Sequence, residues 1–515
     1  MGFDAFYTVD AIDARRLLYL LLAFVVISSF TRSRRYGKIP TAGRRSIFEP
    51  TWLLKFRFIV NSRSIIQDGY QKFKDSSFVV KRLDSDLIVL SNKYLDELRL
   101  IPNNKLSNVH SQVKNMLGKY TYSNFLLESD QHVRVLQSYL TPNLKTFLSR
   151  SAEELDYSFE NDVPQPDEWT EVDIQAILQK MIARVSSRVF IGERASRDET
   201  WLNLCLQFPM NVFSTAFIMR LFPPFLWPLV SWILPTRYWL RQNLKLGKQI
   251  AAPIIAEYQA RAASTSDKPT EKSTLLEWMT CNAQADEATP EKLAPRLMFL
   301  SLASIHSTSS AAAAAIFDLC SHPENIAPLR EEIDQVLGPN IHFPAKEDLQ
   351  KLWKLDSFLK ESQRCNPPTL LSPQRIALEP LTLSDGTPIP KNATIAFPSS
   401  SLFADPALLP HPERFDALRA YTQRMQTPGE SSRNLMVSTH KDHLYFGHGR
   451  QACPGRFFAA NEIKMILVRF LVEYEVRWRE GVGERWGSPE GRTWTVDEMC
   501  FVDPRVRVEV RRKRG

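Results

Sequence analysis

The segment Phe446-Gly447-His448-Gly449-Arg450-Gln451-Ala452-Cys453-Pro454-Gly455-Arg456-Phe457-Phe458 decides how this chain is read. It sets a cysteine at the end of a glycine-rich loop and at the start of a helical pattern that runs from near Pro454 to Glu473. A thiolate that ligates an iron held in a flat macrocycle needs an apolar face, close backbone approach and amide donors. Phe446 can supply the face. Gly447, Gly449 and Gly455 permit the approach. The N-terminus of the following helix, with Pro454 suited to its first turn, supplies donors and a favourable dipole. Cys453 is therefore a candidate metal ligand, although a free cysteine is in general often only a small hydrophobe.

Three upstream segments bear on that assignment. Glu361-Ser362-Gln363-Arg364 places acid and cation three apart, on one helix face. Pro412-Glu413-Arg414-Phe415 follows it, and Ala303-Ser304-Ile305-His306-Ser307-Thr308 precedes it. The last lies in a helical pattern from about Pro290 to Cys320, with Thr289 and Pro290 fitted to its start, Pro295 interrupting it and Ala311 to Ala315 favouring it near the end. Asn104–Leu155, Asn325–Leu337 and Lys354–Arg364 also read as helical. Gln374–Leu378, Leu381–Leu383 and Ala393–Phe397 read as strands, with Ser384-Asp385-Gly386-Thr387 as a hairpin turn among them. Leu402–Val437 reads as irregular, and Ala262–Lys272 as an exposed polar loop. The expectation is a mainly α chain with a minor β-sheet component.

A hydrophobic fraction of 44% over 515 residues allows a large core. The net charge of +8 is modest for this length, and no basic run demands nucleic acid. Cys205, Cys281, Cys320, Cys365, Cys453 and Cys500 are far apart and form no CxxC pair, which argues against a disulfide scaffold or a zinc ribbon and fits a reducing compartment.

Leu17 to Phe30 is an uncharged, mostly apolar run. As a helix it covers roughly 21 Å, short of the roughly 30 Å hydrocarbon core. Arg15, Arg16, Arg32, Arg34 and Arg35 flank it and can snorkel. A cleaved signal peptide is the rival reading, but no A-x-A-like site follows the run, and Asp4, Asp10 and Asp13 precede it. The expected organisation is a short non-cytoplasmic segment at 1–16, a membrane anchor at 17–31, a basic linker at 32–46 and a catalytic domain at 47–515. The basic linker places the bulk of the chain in the cytoplasm. A second apolar segment, Leu221–Pro235, carries four prolines that forbid one continuous helix. Its Trp227 and Trp232 suit a membrane interface, and an ordinary packed segment fits equally.

The Cys453 loop resembles the haem-binding loop of the cytochrome P450 superfamily, in which Phe, two Gly and Cys recur at this spacing. Glu361 to Arg364 matches that family's ExxR motif, and Pro412 to Phe415 resembles its PERF segment. The resemblance covers nearly the whole chain, and the stretch 303–333 and the Ala452–Ala459 octet look most like fungal members of secondary metabolism. It implies a P450-like fold behind a single membrane helix, haem b with axial thiolate from Cys453, and a buried ion triad of Glu361, Arg364 and Arg414. It also implies an oxygen-side alcohol at Ser307 with Thr308 beside it. His306 departs from the usual acid there and is a candidate proton relay, since imidazole titrates near neutral pH.

Further departures concern the haem propionates. Gln451 and Gln137 stand where the family usually has cations, and an amide donates hydrogen bonds without charge. Arg375 matches a propionate-binding arginine, while Arg450, His132 and Arg134 are candidate compensators. The function implied is a monooxygenase acting on a hydrophobic small molecule, a diterpenoid, indole-diterpenoid or meroterpenoid intermediate. Its electrons come from an NADPH-cytochrome reductase, with cytochrome b5 as an optional second donor, at the endoplasmic reticulum membrane. A polyketide-type substrate, a haem-thiolate isomerase or dehydratase, and a non-catalytic haem-binding membrane protein are the alternatives.

Overall fold

The computed structural model describes Tyr36, residues 39–46, 48–264, 272–284 and 286–513. The expected anchor at 17–31, the segment before it and residues 32–35, 37 and 38 of the linker lie outside those residues, as does most of the polar loop after 264.

The chain is mainly helical, as expected. Its principal helices are α1 (Thr51–Lys72), α2 (Leu144–Asn161), α3 (Ile174–Phe190), α4 (Glu199–Arg220), α5 (Pro235–Ser264), α6 (Pro290–Ser321), α7 (Trp353–Cys365) and α8 (Arg456–Glu473). The 32-residue α6 runs through the middle, packed on α3, α4, α5, α7 and α8. It is unbroken at Pro295. The lost backbone donor there is outweighed by burial, since Leu293, Ala294, Arg296 and Leu297 beside it are all buried. Helices α4 and α6 are long and apolar enough to cross a membrane, yet two-thirds of the α6 window (67%) is buried inside the protein. Its apolarity serves the core, where Ile305, Ala312, Ala313, Ala315 and Ile316 are fully enclosed.

A five-stranded sheet flanks the helices. Its strands are β1 (Phe78–Lys81), β2 (Asp86–Val89), β3 (Leu106–Ser107), β4 (Gln374–Ala377) and β5 (Thr394–Ala396), in the order β1-β2-β5-β4-β3. Only β2 and β5 run parallel. A separate hairpin, β6 (Thr493–Val496) with β7 (Met499–Val502), turns at Asp497-Glu498.

Three local expectations change. The turn at Ser384–Thr387 joins Leu381–Thr382 to a short strand at Pro388–Ile389, not to β5. The supposedly irregular 402–437 stretch contains a helix at Arg419–Gln426. Helix α8 begins at Arg456 with Gly455 as its N-cap, so Pro454 precedes the first turn instead of occupying it.

Candidate active site

One cavity of about 1610 Å³ lies between α6, the Cys453 loop and the strand hairpins. That exceeds the roughly 300–1,000 Å³ of a typical small-molecule site and leaves room for a macrocycle and a substrate together. Phe446, Gly447, Cys453 and Gly455 line one side; Ala303, His306, Ser307 and Thr308 of α6 also line it.

The loop geometry follows from its glycines. Gly447 (φ 71°) and Gly449 (φ 73°) adopt left-handed backbone. At Gly449 a Cβ would also lie 2.9 Å from the Arg99 carbonyl oxygen. This folding-back lets the Cys453 amide donate to the Phe446 carbonyl at 2.7 Å. Gly455 needs neither a special angle nor close approach to protein, since a Cβ there meets nothing within 4 Å. Cys453 sits deep in the protein, yet its side chain is open because it faces the cavity. Burial pushes its thiol up, opposed by the backbone N–H groups of Gly455 and Arg456 and by the Arg456 charge. A bound cation of iron's charge would complete the stabilisation that these amides begin.

Opposite, Ser307 is exposed to the cavity and donates to the Ala303 carbonyl one turn back at 2.9 Å. Thr308 also lines the cavity but is largely buried. His306 turns to the backbone of Leu206 on α4, with Nε2 buried and unpartnered. Burial lowers its pKa to about 4, so it is neutral at physiological pH. That environment removes the near-neutral titration on which a relay role for His306 rested.

The residues expected near propionates divide. Arg375 is buried and donates to the Leu98 and His448 carbonyls at 2.8 and 2.9 Å. Its Nε is buried without a partner, and no carboxylate pairs with it among the described residues. Burial alone pulls it down to about 10. A buried cation without a counter-ion fits a carboxylate-bearing group. Gln451 is otherwise engaged: its Oε1 accepts from the Asn108 amide at 2.8 Å and its Nε2 donates to the Leu106 carbonyl at 2.7 Å. It ties the Cys453 loop to β3, so the expected propionate contact gives way to a structural one. Gln137, His132 and Arg450 line the cavity. His132 is held neutral, lowered to about 4 by burial and by Arg296. Arg134 pairs with Asp130 at 2.7 Å and faces away.

The triad is corrected in one member. Glu361 and Arg364 pair in bidentate fashion at 2.8 and 2.9 Å on α7. The third member is Arg419, 3.4 Å from Glu361 Oε1, at the start of the helix missed in the sequence. Arg414 is exposed; its carbonyl, not its guanidinium, joins the network, accepting from Arg364 and Arg419 at 3.2 and 3.0 Å. Residues that sequence reasoning missed at the cavity include Arg82, Arg220, Asp497 and Glu498, which come from three distant places in the chain and carry no motif.

A family model described as Cytochrome P450 matches residues 88–486. The "Cytochrome P450 monooxygenase AN1598" of Emericella nidulans is 40% identical, over 96% of this chain and 91% of its own length. "Ent-kaurene oxidase P450-4" of Gibberella fujikuroi is 38% identical over 92% of this chain and 93% of its own, and "Cytochrome P450 monooxygenase paxP" of Penicillium paxilli 36% over 87% and 86%. Among solved structures, the "cytochrome P450DA heme domain" superposes with a TM-score of 0.69 at 17% identity, over 92% of this chain and 97% of that one.

Proposed function

This chain belongs to the cytochrome P450 family, and on that premise we propose that it oxidises a terpenoid-type small molecule in fungal secondary metabolism, through insertion of one atom of dioxygen into an unactivated C–H bond. The family is one of haem-thiolate monooxygenases. The observation that carries the reading is the cavity that holds an open cysteine and faces two α6 alcohols under a largely apolar wall.

In this reading Cys453 would hold the haem iron through its thiolate, Arg375 would pair with a propionate, and Phe446 and Gly447 would pack beside the macrocycle. Bound haem would supply dioxygen activation, which a thiolate ligand promotes by donating electron density. The chain's own residues do the rest. The Gly455 and Arg456 amides stabilise the thiolate charge. The Ser307 hydroxyl, fixed on the Ala303 carbonyl, holds a proton at the cavity wall, with Thr308 beside it. Neutral His306 packs the α6–α4 seam. Phe299, Leu300 and Leu302 of α6, with Phe213 and Phe217 of α4, exclude water and orient an apolar substrate.

Electrons come from an NADPH-cytochrome reductase, with cytochrome b5 as an optional second donor. The site is the cytoplasmic face of the endoplasmic reticulum, with residues 17–31 as a single anchor. Exposed apolar side chains support membrane contact: Phe48, Trp52 and Phe56 at α1, and Phe225, Leu229, Trp232 and Ile233 between α4 and α5. Of the two tryptophans in that second segment, Trp232 is exposed, whereas Trp227 packs edge-on against Tyr120.

The test is incubation of microsomes carrying the full chain and a reductase with candidate diterpenoid, indole-diterpenoid and meroterpenoid intermediates. A product heavier by one oxygen atom, labelled from isotopic dioxygen and dependent on NADPH, is expected. Product formed without reductase or dioxygen would instead make the chain a haem-thiolate isomerase or dehydratase.

A further inference from the structure

The wall of the cavity away from Cys453 carries a charged cluster drawn from four places in the chain. Arg82 follows β1, Asp84 lies in the β1–β2 turn, Arg220 ends α4, and Asp497 and Glu498 form the tip of the β6–β7 hairpin. Arg82, Arg220, Asp497 and Glu498 all line the cavity, together with Asn115 and Gln374. The cluster is enclosed: side-chain exposure is 1% for Arg82, 3% for Asp84, 2% for Glu498, 5% for Asp497 and 12% for Arg220.

Its two halves differ. Arg82 is saturated, donating to Glu498 at 2.7 Å, to Asn115 at 3.1 Å and to Asp84 at 3.1–3.2 Å. Gln374 gives Glu498 a second donor at 2.9 Å. Arg220 donates to the Asn115 carbonyl, but Arg220 and Asp497 are slack toward each other. Their nearest approach is 3.7 Å, and Arg220 stands 3.6 Å from Asp84, both beyond a normal N–H···O bond. Arg220 Nε and Asp497 Oδ1 are buried without hydrogen-bond partners. Asp497 is held there with left-handed backbone (φ 51°), its amide donating to the Ile59 carbonyl at 3.2 Å. A non-glycine residue in that conformation is uncommon and costs backbone energy. Two neighbouring residues at the polar end of a largely apolar cavity thus each carry an unsatisfied atom, a donor on Arg220 and an acceptor on Asp497.

We propose that Arg220 and Asp497 form the polar end of the substrate site and hold an alcohol on an otherwise apolar substrate. The proposal rests on the monooxygenase reading and deepens it. A hydroxyl is matched to this pair because it can donate to Asp497 and accept from Arg220 at once. A carboxylate is disfavoured, since three carboxylates against two guanidiniums leave the cluster neutral or anionic. Burial and the neighbouring Glu498 raise Asp497 to about 6, against the pull of Arg82, which keeps it a competent acceptor. A hydrocarbon would leave Arg220 Nε and Asp497 Oδ1 without a partner. This enzyme therefore acts after a reaction that installs a hydroxyl on the terpenoid skeleton, by prior oxygenation or by hydrative cyclisation.

The test is a ligand titration of the full-length haem-loaded enzyme, read by the Soret spin-state shift. The ligands are ent-kaurene, a set of its monoalcohols with the hydroxyl at different carbons, and the methyl ethers of those alcohols. At least one alcohol is expected to bind about tenfold tighter than both the hydrocarbon and its own ether, the worth of one hydrogen-bonded group. Asp497→Asn and Arg220→Gln should shrink that preference below threefold while hydrocarbon affinity stays. A purely structural cluster would weaken all ligands alike or lower only the unfolding midpoint, and that overturns the proposal. So does a wild-type enzyme with no preference for any alcohol, a result that needs no variant to fold. Loss of the thiolate-specific Soret band after reduction and carbon monoxide would instead sink the monooxygenase reading itself.

Discussion

Arg419→Met should destabilise the haem-side scaffold far more than Arg414→Met, although Arg414 is the one that stands in the PERF-like segment. Arg419 is only 13% exposed and sits 3.4 Å from Glu361. It also donates to the carbonyls of Pro410, His411 and Arg414 at 2.7, 3.2 and 3.0 Å. Its removal takes the side-chain donor from the Pro410 carbonyl, leaves the His411 and Arg414 carbonyls with only the Arg414 amide and Arg364, and weakens the pairing of a carboxylate that is 4% exposed. Breaking a buried pair from one side costs about 3–5 kcal/mol. The bidentate Arg364 contact still compensates Glu361, so about 3 kcal/mol is the expectation, roughly a hundredfold in the folded-to-unfolded ratio. The Arg414 guanidinium is exposed and its contribution runs through its carbonyl, which methionine retains; within about 0.5 kcal/mol of wild type is expected. Urea unfolding of the purified holoenzyme, followed by loss of the Soret band, measures both. Equal losses, or a larger loss for Arg414→Met, would refute the assignment of Arg419.

Two further outcomes follow from the geometry. Gly449→Ala forces a Cβ against Arg99 in left-handed backbone, so a loss of about 1–3 kcal/mol and reduced haem content are expected, read by unfolding and by the haem-to-protein ratio. Acid should destabilise the fold between about pH 6.5 and 3, because burial lowers His132 and His306 to about 4 and His443 to about 3. The unfolded chain binds those protons first, so this stability is complete above pH 6.5 and falls as pH drops, by about 1 kcal/mol per histidine at pH 5.5; urea midpoints at pH 7.5 and 5.5 check it, and His443→Asn should flatten the slope.

How much was legible depended on whether a signal was local. The Cys453 loop and the Glu361–Arg364 pair are each set by residues within a turn or two of one another, and spacing exposes them; the α6 alcohols came through the family resemblance. Helix α6 was legible through its ends and alanines, despite Pro295, because tertiary burial tolerates one missing backbone bond. Arg419 was not legible, since nothing local distinguishes it from Arg414, and which one reaches Glu361 depends on how the chain turns after Pro410. Gln451 looked like a weakened haem contact because its partners, the backbone at 106 and 108, lie more than three hundred residues away. The Arg220–Asp497 wall was invisible for the same reason. The hairpin at 493–502 that delivers it is short and half-buried, and alternation over four-residue strands is a faint signal.

The central claim is that Cys453 ligates the haem iron as a thiolate. Purified wild-type enzyme and Cys453→Ala, each reduced and treated with carbon monoxide, test it most directly. Wild type should show the thiolate-specific Soret shift, and the variant should lose it while keeping the far-ultraviolet circular dichroism of a mainly helical fold. Retention of that shift by Cys453→Ala would contradict the account.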